Sequence, residues 1–108
     1  MIHTENFEGI KLDIQTVDMT IKEDVRDQVY KMIRRLRRIA NEISYVDINF
    51  KKESGHSTND KSVSVRLGIP GNDAFANDSG DHWLAVLSSV EDKLRSQLEK
   101  RKTANERF

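Results

Sequence analysis

The sequence predicts an α+β fold of order β-α-β-β-β-α, with two helices packed on one face of a four-stranded mixed, mainly antiparallel sheet. Three observations carry this. Short stretches alternate apolar and polar residues, as half-buried strands do. Two longer stretches repeat apolar residues at the helical period. A proline–glycine pair marks a tight turn between strands.

Residues 1–10 are read as an N-terminal arm. From Lys11 to Val17 the chain alternates, with Leu12, Ile14 and Thr16 facing one way and Lys11, Asp13 and Gln15 the other. Thr20 and Glu23 have the spacing of a capping box, which predicts a helix from about Ile21 to Ala40. Acids open this helix (Glu23, Asp24, Asp27) and arginines close it, as the helix dipole favours. Val25, Val29, Met32, Ile33, Leu36 and Ala40 form its apolar stripe. Lys31, Arg34, Arg35 and Arg38 fall on the opposite side and Arg37 on the flank, so these cations are expected to be presented to solvent.

The second strand is expected over Val46 to Lys52 and the third, the cleanest, over Lys61 to Ile69; polar residues 53–60 form a hairpin loop between them. Ile69-Pro70-Gly71-Asn72 fits a type II turn. Residues 73–78 then return as a short strand with Ala74 and Ala76 inward and Phe75 outward. The last helix is expected from Ser79 or Asp81 to about Lys102, with a stripe of Trp83, Leu87, Val90, Leu94 and Leu98, followed by a frayed tail over 103–108. The sheet face away from the helices is polar and expected to stay wet.

A chain of 108 residues is expected to be one domain with one core. The absence of cysteine excludes disulfides, thiolate zinc sites and cysteine nucleophiles. No apolar run is long enough to span a membrane, and Met1 to Glu8 does not read as a secretory signal, so a cytoplasmic location is expected. The glycosylation sequon at Asn77-Asp78-Ser79 is then a chance match.

Catalytic chemistry finds little support. His3, His56 and His82 lack metal-ligand spacing, and there is no glycine-rich phosphate loop or nucleophile motif. No enzyme activity, metal, cofactor or small-molecule substrate is expected. Asp81 beside His82 is explained as the start of a helix. Trp83 has the look of a base-stacking platform, but its place on the apolar stripe favours core packing. Phe75, outward on a wet face, is the aromatic to watch.

The charge is more telling. The chain is formally neutral, yet Lys31, Arg34, Arg35, Arg37 and Arg38 cluster on one helix and Lys93, Arg95, Lys100, Arg101 and Lys102 on the other. On a single helix this is as readily a solvated face. Two such helices side by side make a continuous positive surface of the kind that holds phosphates.

The same residues bring a resemblance into view. Asp92-Lys93-Leu94, then Gln97-Leu98, then Lys100 and Lys102 are similar to the ending of the ribosome hibernation promoting factor and ribosome-associated translation inhibitor family, also called sigma-54 modulation proteins. Leu67, Ile69-Pro70-Gly71 and Ala76 resemble that family's third strand, turn and fourth strand; Val25-Arg26 and Arg35-Leu36 resemble pairs in its first helix. Met32 stands where the family usually has a lysine, and Leu84 where it usually has a tyrosine.

The resemblance implies a single ribosome-binding domain over 1–108 that binds the small ribosomal subunit and its 16S rRNA, and blocks the decoding channel in stationary phase or stress. It implies RNA contacts from Arg26, Arg35, Lys93, Lys100 and Lys102. Helix geometry adds Arg34, Arg38, Arg95 and Arg101, although Arg101 projects along the apolar stripe. The chain is expected to be of the short form and a monomer when free; whether it favours paired or single silent ribosomes stays open. Reversing Arg35, Lys93 and Lys100 to glutamate is expected to spare the fold and abolish ribosome association. The alternatives are a stand-alone double-stranded RNA binder and a protein-interaction module acting on a transcription regulator.

Overall fold

The computed structural model describes residues 1–17, 19–53 and 58–106, with side chains described as far as 102. His56 and the rest of residues 54–57 in the 53–60 loop lie outside the described residues. The element order is β1 (Ile2–Phe7), β2 (Ile10–Val17), α1 (Glu23–Arg37), β3 (Tyr45–Lys52), β4 (Lys61–Gly68), β5 (Ala74–Gly80) and α2 (Trp83–Glu106). The sheet runs β1-β2-β3-β4-β5, with β2 and β3 parallel and every other pair antiparallel.

The sheet therefore has five strands, not four, because the expected N-terminal arm is strand β1. It pairs with β2 through a two-residue turn, Glu8-Gly9, with φ of 51° and 88°. Two successive left-handed residues are what a tight hairpin needs to match strand twist. Glycine adopts that conformation freely; Glu8 does not, and its side chain is held in place from outside the turn.

The inner sheet face buries Leu12, Ile14, Val46, Ile48, Phe50, Val63, Val65 and Leu67, with Ala74 and Ala76 leaving room on β5 for a helix. The helices answer with Val25, Val29, Met32, Ile33 and Leu36 from α1 and Val86, Leu87, Val90, Leu94 and Leu98 from α2. Trp83 packs edge-on against Phe50, with ring centroids 5.6 Å apart, so its role is in the core. Met32 is fully buried, which explains an apolar residue at that position.

The helix limits differ from those expected. α1 begins at Glu23 after Lys22, whose side chain makes no capping bond, so Thr20 does not close a capping box. Met19 and Ile21 instead pack against the core, and the Asp24 carboxylate accepts the Val25 N–H at 2.9 Å. α1 also stops earlier, at Arg37, and α2 runs on to Glu106, past the expected end at Lys102.

One close approach fixes a residue type. The Tyr45 ring lies over Gly68, its cross-strand partner, and a Cβ at 68 would sit 2.1 Å from that ring. The turn at Pro70 is as expected, with Gly71 at φ 87°.

The outer edge of β5 is closed by α2. The Gln97 side-chain amide donates to the Phe75 carbonyl at 2.6 Å and accepts the Phe75 N–H at 3.3 Å. One helical turn to either side, Lys93 Nζ donates to the Asn77 carbonyl at 2.9 Å, and Arg101 donates to the carbonyls of Asn72 and Asp73. Side chains one helical turn apart thus meet carbonyls two residues apart on the strand, because a helix and a strand rise similar distances over those steps.

Candidate nucleic-acid interface

α1 and α2 lie side by side on the sheet, and their basic residues fall into two sets. The first set is already engaged. Arg35 and Glu91 join the helices: Nε donates to Oε2 at 2.6 Å and Nη2 to Oε1 at 2.7 Å. The Glu91 carboxylate is buried and also takes Arg95 Nη2 at 3.0 Å, while Arg95 reaches Asp92 at 3.5 Å. The hydrogen bonds that Arg35 donates to Glu91 hold its guanidinium above its ordinary pKa. Two-pronged pairs of this sort are the stronger kind.

At the other side of α1 the β1–β2 hairpin supplies the acids. Glu8 receives Arg34 through Nε at 2.9 Å and Nη2 at 2.7 Å, and Arg37 Nη1 lies 3.4 Å from its other oxygen. Arg37 also donates to the Glu8 carbonyl at 3.2 Å. These bonds hold Glu8 in its left-handed conformation. Arg26 lies 3.5 Å from Glu5, which also accepts the Tyr30 hydroxyl at 2.9 Å. Burial pushes the Glu5 carboxyl up, but the hydrogen bonds from His3 and Tyr30 and the charges of His3 and Arg26 outweigh it, leaving it below its ordinary pKa.

Lys93 and Arg101 belong to this engaged set through β5. Lys93 also lies 3.6 Å from Asp78. The Asp78 pKa is lowered, first by the Ser89 hydroxyl, then by the Ser79 N–H.

The second set is free. Lys31, Arg38, Lys100 and Lys102 are exposed, and their side chains make no ion pair or hydrogen bond among the described residues. Arg38 follows the last residue of α1, and Lys100 and Lys102 lie in the last turns of α2. These ends converge: Ile39, Ala40, Leu98, Arg101 and Lys102 line one cleft of about 400 Å³, closed below by Ile69 and Pro70. Of the cations in that lining, Lys102 is available to phosphate oxygens without breaking an internal bond, and Arg101 is not. Arg35 retains N–H donors beyond its bonds to Glu91, since a guanidinium offers five and Glu91 takes two.

Sequence reasoning placed Arg34, Arg35 and Arg38 alike on a presented face. It missed the partners Glu8 and Glu91, which lie far along the chain and announce themselves by no local pattern. Phe75 is outward as expected, 41% exposed, with the Arg66 guanidinium 5.0 Å from its ring centroid. Among the described residues there is no group of three or more metal-ligating side chains, and no helix is long and apolar enough to cross a membrane.

Comparison with solved structures finds the same fold. The Thermus thermophilus Protein Y N-terminal domain superposes with a TM-score of 0.70 at 17% identity, over 85% of this chain and 97% of that one. A ribosomal subunit interface protein from Coxiella burnetii superposes with a TM-score of 0.71 at 22% identity, over the same 85% and 97%. No curated protein sequence matches the chain. The family model described as sigma 54 modulation protein / S30EA ribosomal protein matches residues 12–106, from β2 through α2. By that match, over nearly its whole length, the chain belongs to the sigma 54 modulation protein / S30EA ribosomal protein family, a family of ribosome-associated factors.

Proposed function

We propose that this protein is a non-enzymatic, cytoplasmic hibernation factor that binds the small ribosomal subunit through phosphates of 16S rRNA and blocks the mRNA and tRNA decoding channel. The observation that carries the reading is that the helix ends that share one cleft carry exposed, unpaired cations: Arg38 just after α1, and Lys100 and Lys102 in the last turns of α2. Family membership supports the ribosome as the source of the phosphates.

The mechanism is steric. A folded plug held by phosphate contacts occupies the channel, so inhibition follows occupancy and needs no turnover. Neutralised phosphates release counterions, so affinity falls steeply with salt. Arg35, Arg95 and Lys93 sit beside the free set and add reach, but each first holds an internal partner.

The test is sedimentation of the purified protein with small subunits in a sucrose gradient, at low and raised salt. Co-migration that weakens with salt, and is lost when Arg38, Lys100 and Lys102 are all changed to glutamate, is the expected result. A triple variant that still co-migrates at physiological salt defeats the proposed surface. A wild-type protein that stays at the top of the gradient at low salt defeats the function.

A further inference from the structure

The two edges of the sheet are treated differently. The β5 edge is closed by Lys93, Gln97 and Arg101. The β1 edge is left open among the described residues. Met1 and Thr16 exchange both backbone bonds, with Met1 N donating to the Thr16 carbonyl at 2.6 Å and Thr16 N–H to the Met1 carbonyl at 2.9 Å. In an antiparallel ladder such pairs recur at alternate residues, so His3, Glu5 and Phe7 bond to β2 and the N–H and C=O groups of Ile2, Thr4 and Asn6 point outward. Exposed edges in folded proteins are commonly blunted by proline, lysine or a bulge. β1 carries no proline, lysine or bulge: its sequence is Ile-His-Thr-Glu-Asn-Phe, its register with β2 is unbroken, and its one acid, Glu5, is turned toward Tyr30 and Arg26 of α1. Ile2 at its start is 65% exposed.

We infer that the β1 edge pairs with β1 of a second copy of this chain, antiparallel and centred on Thr4, joining two sheets into one. The strand is self-complementary in that register. Thr4 faces the partner's Thr4, and Ile2 faces the partner's Asn6, so every outward backbone group on both strands finds a partner. His3 then faces the partner's Glu5 at a closely spaced, non-hydrogen-bonded position, where side chains approach most nearly. His3 and Glu5 already bond within one chain at 2.7 Å, so the two groups are chemically matched. Two-fold pairing of identical surfaces is the commonest route to a dimer. β1 lies outside the residues matched by the family model, so this surface is separate from the matched region and does not depend on the ribosome reading. It departs from the free monomer expected from sequence.

The test is sedimentation equilibrium of the untagged full chain across a wide concentration range. The wild type should move from one-chain toward two-chain mass. Thr4→Pro removes only an outward N–H, so the fold should be kept and both central interchain bonds lost, weakening association about tenfold or more. Thr4→Lys, an edge blocker that keeps the N–H, gives the same loss should the proline variant unfold. Register is read separately, because the chain has no cysteine of its own among its residues. Oxidised Thr4→Cys should form a disulfide-linked dimer, as facing Cα atoms at such a pair lie about 5.5 Å apart, and Asn6→Cys should not. A wild type that stays at one-chain mass at its highest soluble concentration overturns the inference. So does a dimer indifferent to both Thr4 variants, or cross-linking of Asn6→Cys as efficient as that of Thr4→Cys.

Discussion

Arg35 and Glu91 meet across α1 and α2 as a two-pronged ion pair, with both guanidinium–carboxylate distances at 2.7 Å or less and the carboxylate buried. A residue that looked presented to solvent therefore ties the helix layer together.

The first prediction follows from this pair. Arg35→Glu puts two carboxylates together and leaves Glu91 with Arg95 alone. Loss of about 2 kcal/mol in urea unfolding is expected, less than for a fully buried pair because Arg35 is partly exposed. Adding Glu91→Arg should recover part of it. The reversal set expected from sequence, Arg35, Lys93 and Lys100, should therefore cost stability as well as binding, because two of its members hold internal partners. Arg38, Lys100 and Lys102, exposed and without internal partners among the described residues, are the set expected to spare the fold.

The hairpin turn gives the second. Asparagine tolerates the left-handed conformation of Glu8 but carries no charge to hold Arg34 and Arg37. Glu8→Asn should keep the turn and release the Arg34 guanidinium to external phosphate, while Arg37 keeps only its bond to the backbone carbonyl of residue 8. Retention on immobilised RNA should extend to higher salt than for the wild type; unchanged elution would mean that Arg34 cannot reach phosphate.

Closure of the β5 edge gives the third. Gln97→Ala removes both bonds to Phe75 and should cost about 1–2 kcal/mol in stability. Hydrogen exchange at the Phe75 amide should accelerate more than at the inward-paired amides of β4. Equal acceleration throughout the sheet would show a global rather than an edge effect.

The fourth concerns pH. Asp47 lies beside Asp13 on the open sheet face. Burial first, then the charge of Asp13, raise its carboxyl above the ordinary 3.8. A carboxyl raised in the fold contributes stability below its unfolded pKa, and that contribution is lost as pH rises through the folded value. Asp13 Oδ1 is also buried without a hydrogen-bond partner among the described residues. Asp47→Asn should therefore stabilise at neutral pH, by about 1 kcal/mol if the amide donates to Asp13. The gain should shrink as pH falls through the raised value of Asp47 toward the ordinary 3.8, as the wild-type carboxyl takes up its proton. Thermal melts across that range check the sign.

Much of this was readable in the chain because burial imposes periods. The α1 stripe and the alternations of β3 and β4 are buried as their spacing requires, and Phe75 faces outward for the same reason. β1 was not readable: it is an edge strand that buries only Phe7, and its turn places a glutamate where asparagine or glycine is the usual signal. The split among the basic residues was equally hidden. Helical geometry fixes which way a side chain leaves its helix, but not which carboxylate, dozens of residues away, is folded against it. Arg101 is the partial exception, since its position along the apolar stripe pointed it back toward the protein, where it meets the strand.

The self-neutralised arginines bear on how a partner is met, as distinct from how it is held. Seen from beyond a Debye length, about 8 Å at physiological salt, a guanidinium bonded to a carboxylate has almost no field. The chain as a whole carries no formal net charge. Long-range attraction to a polyanion is then weak, and encounter should run near the unsteered rate of about 10⁵–10⁶ M⁻¹ s⁻¹. Such a molecule ignores stray polyanions until its few bare cations come within contact range, so its selectivity is exercised at the last few ångströms of approach.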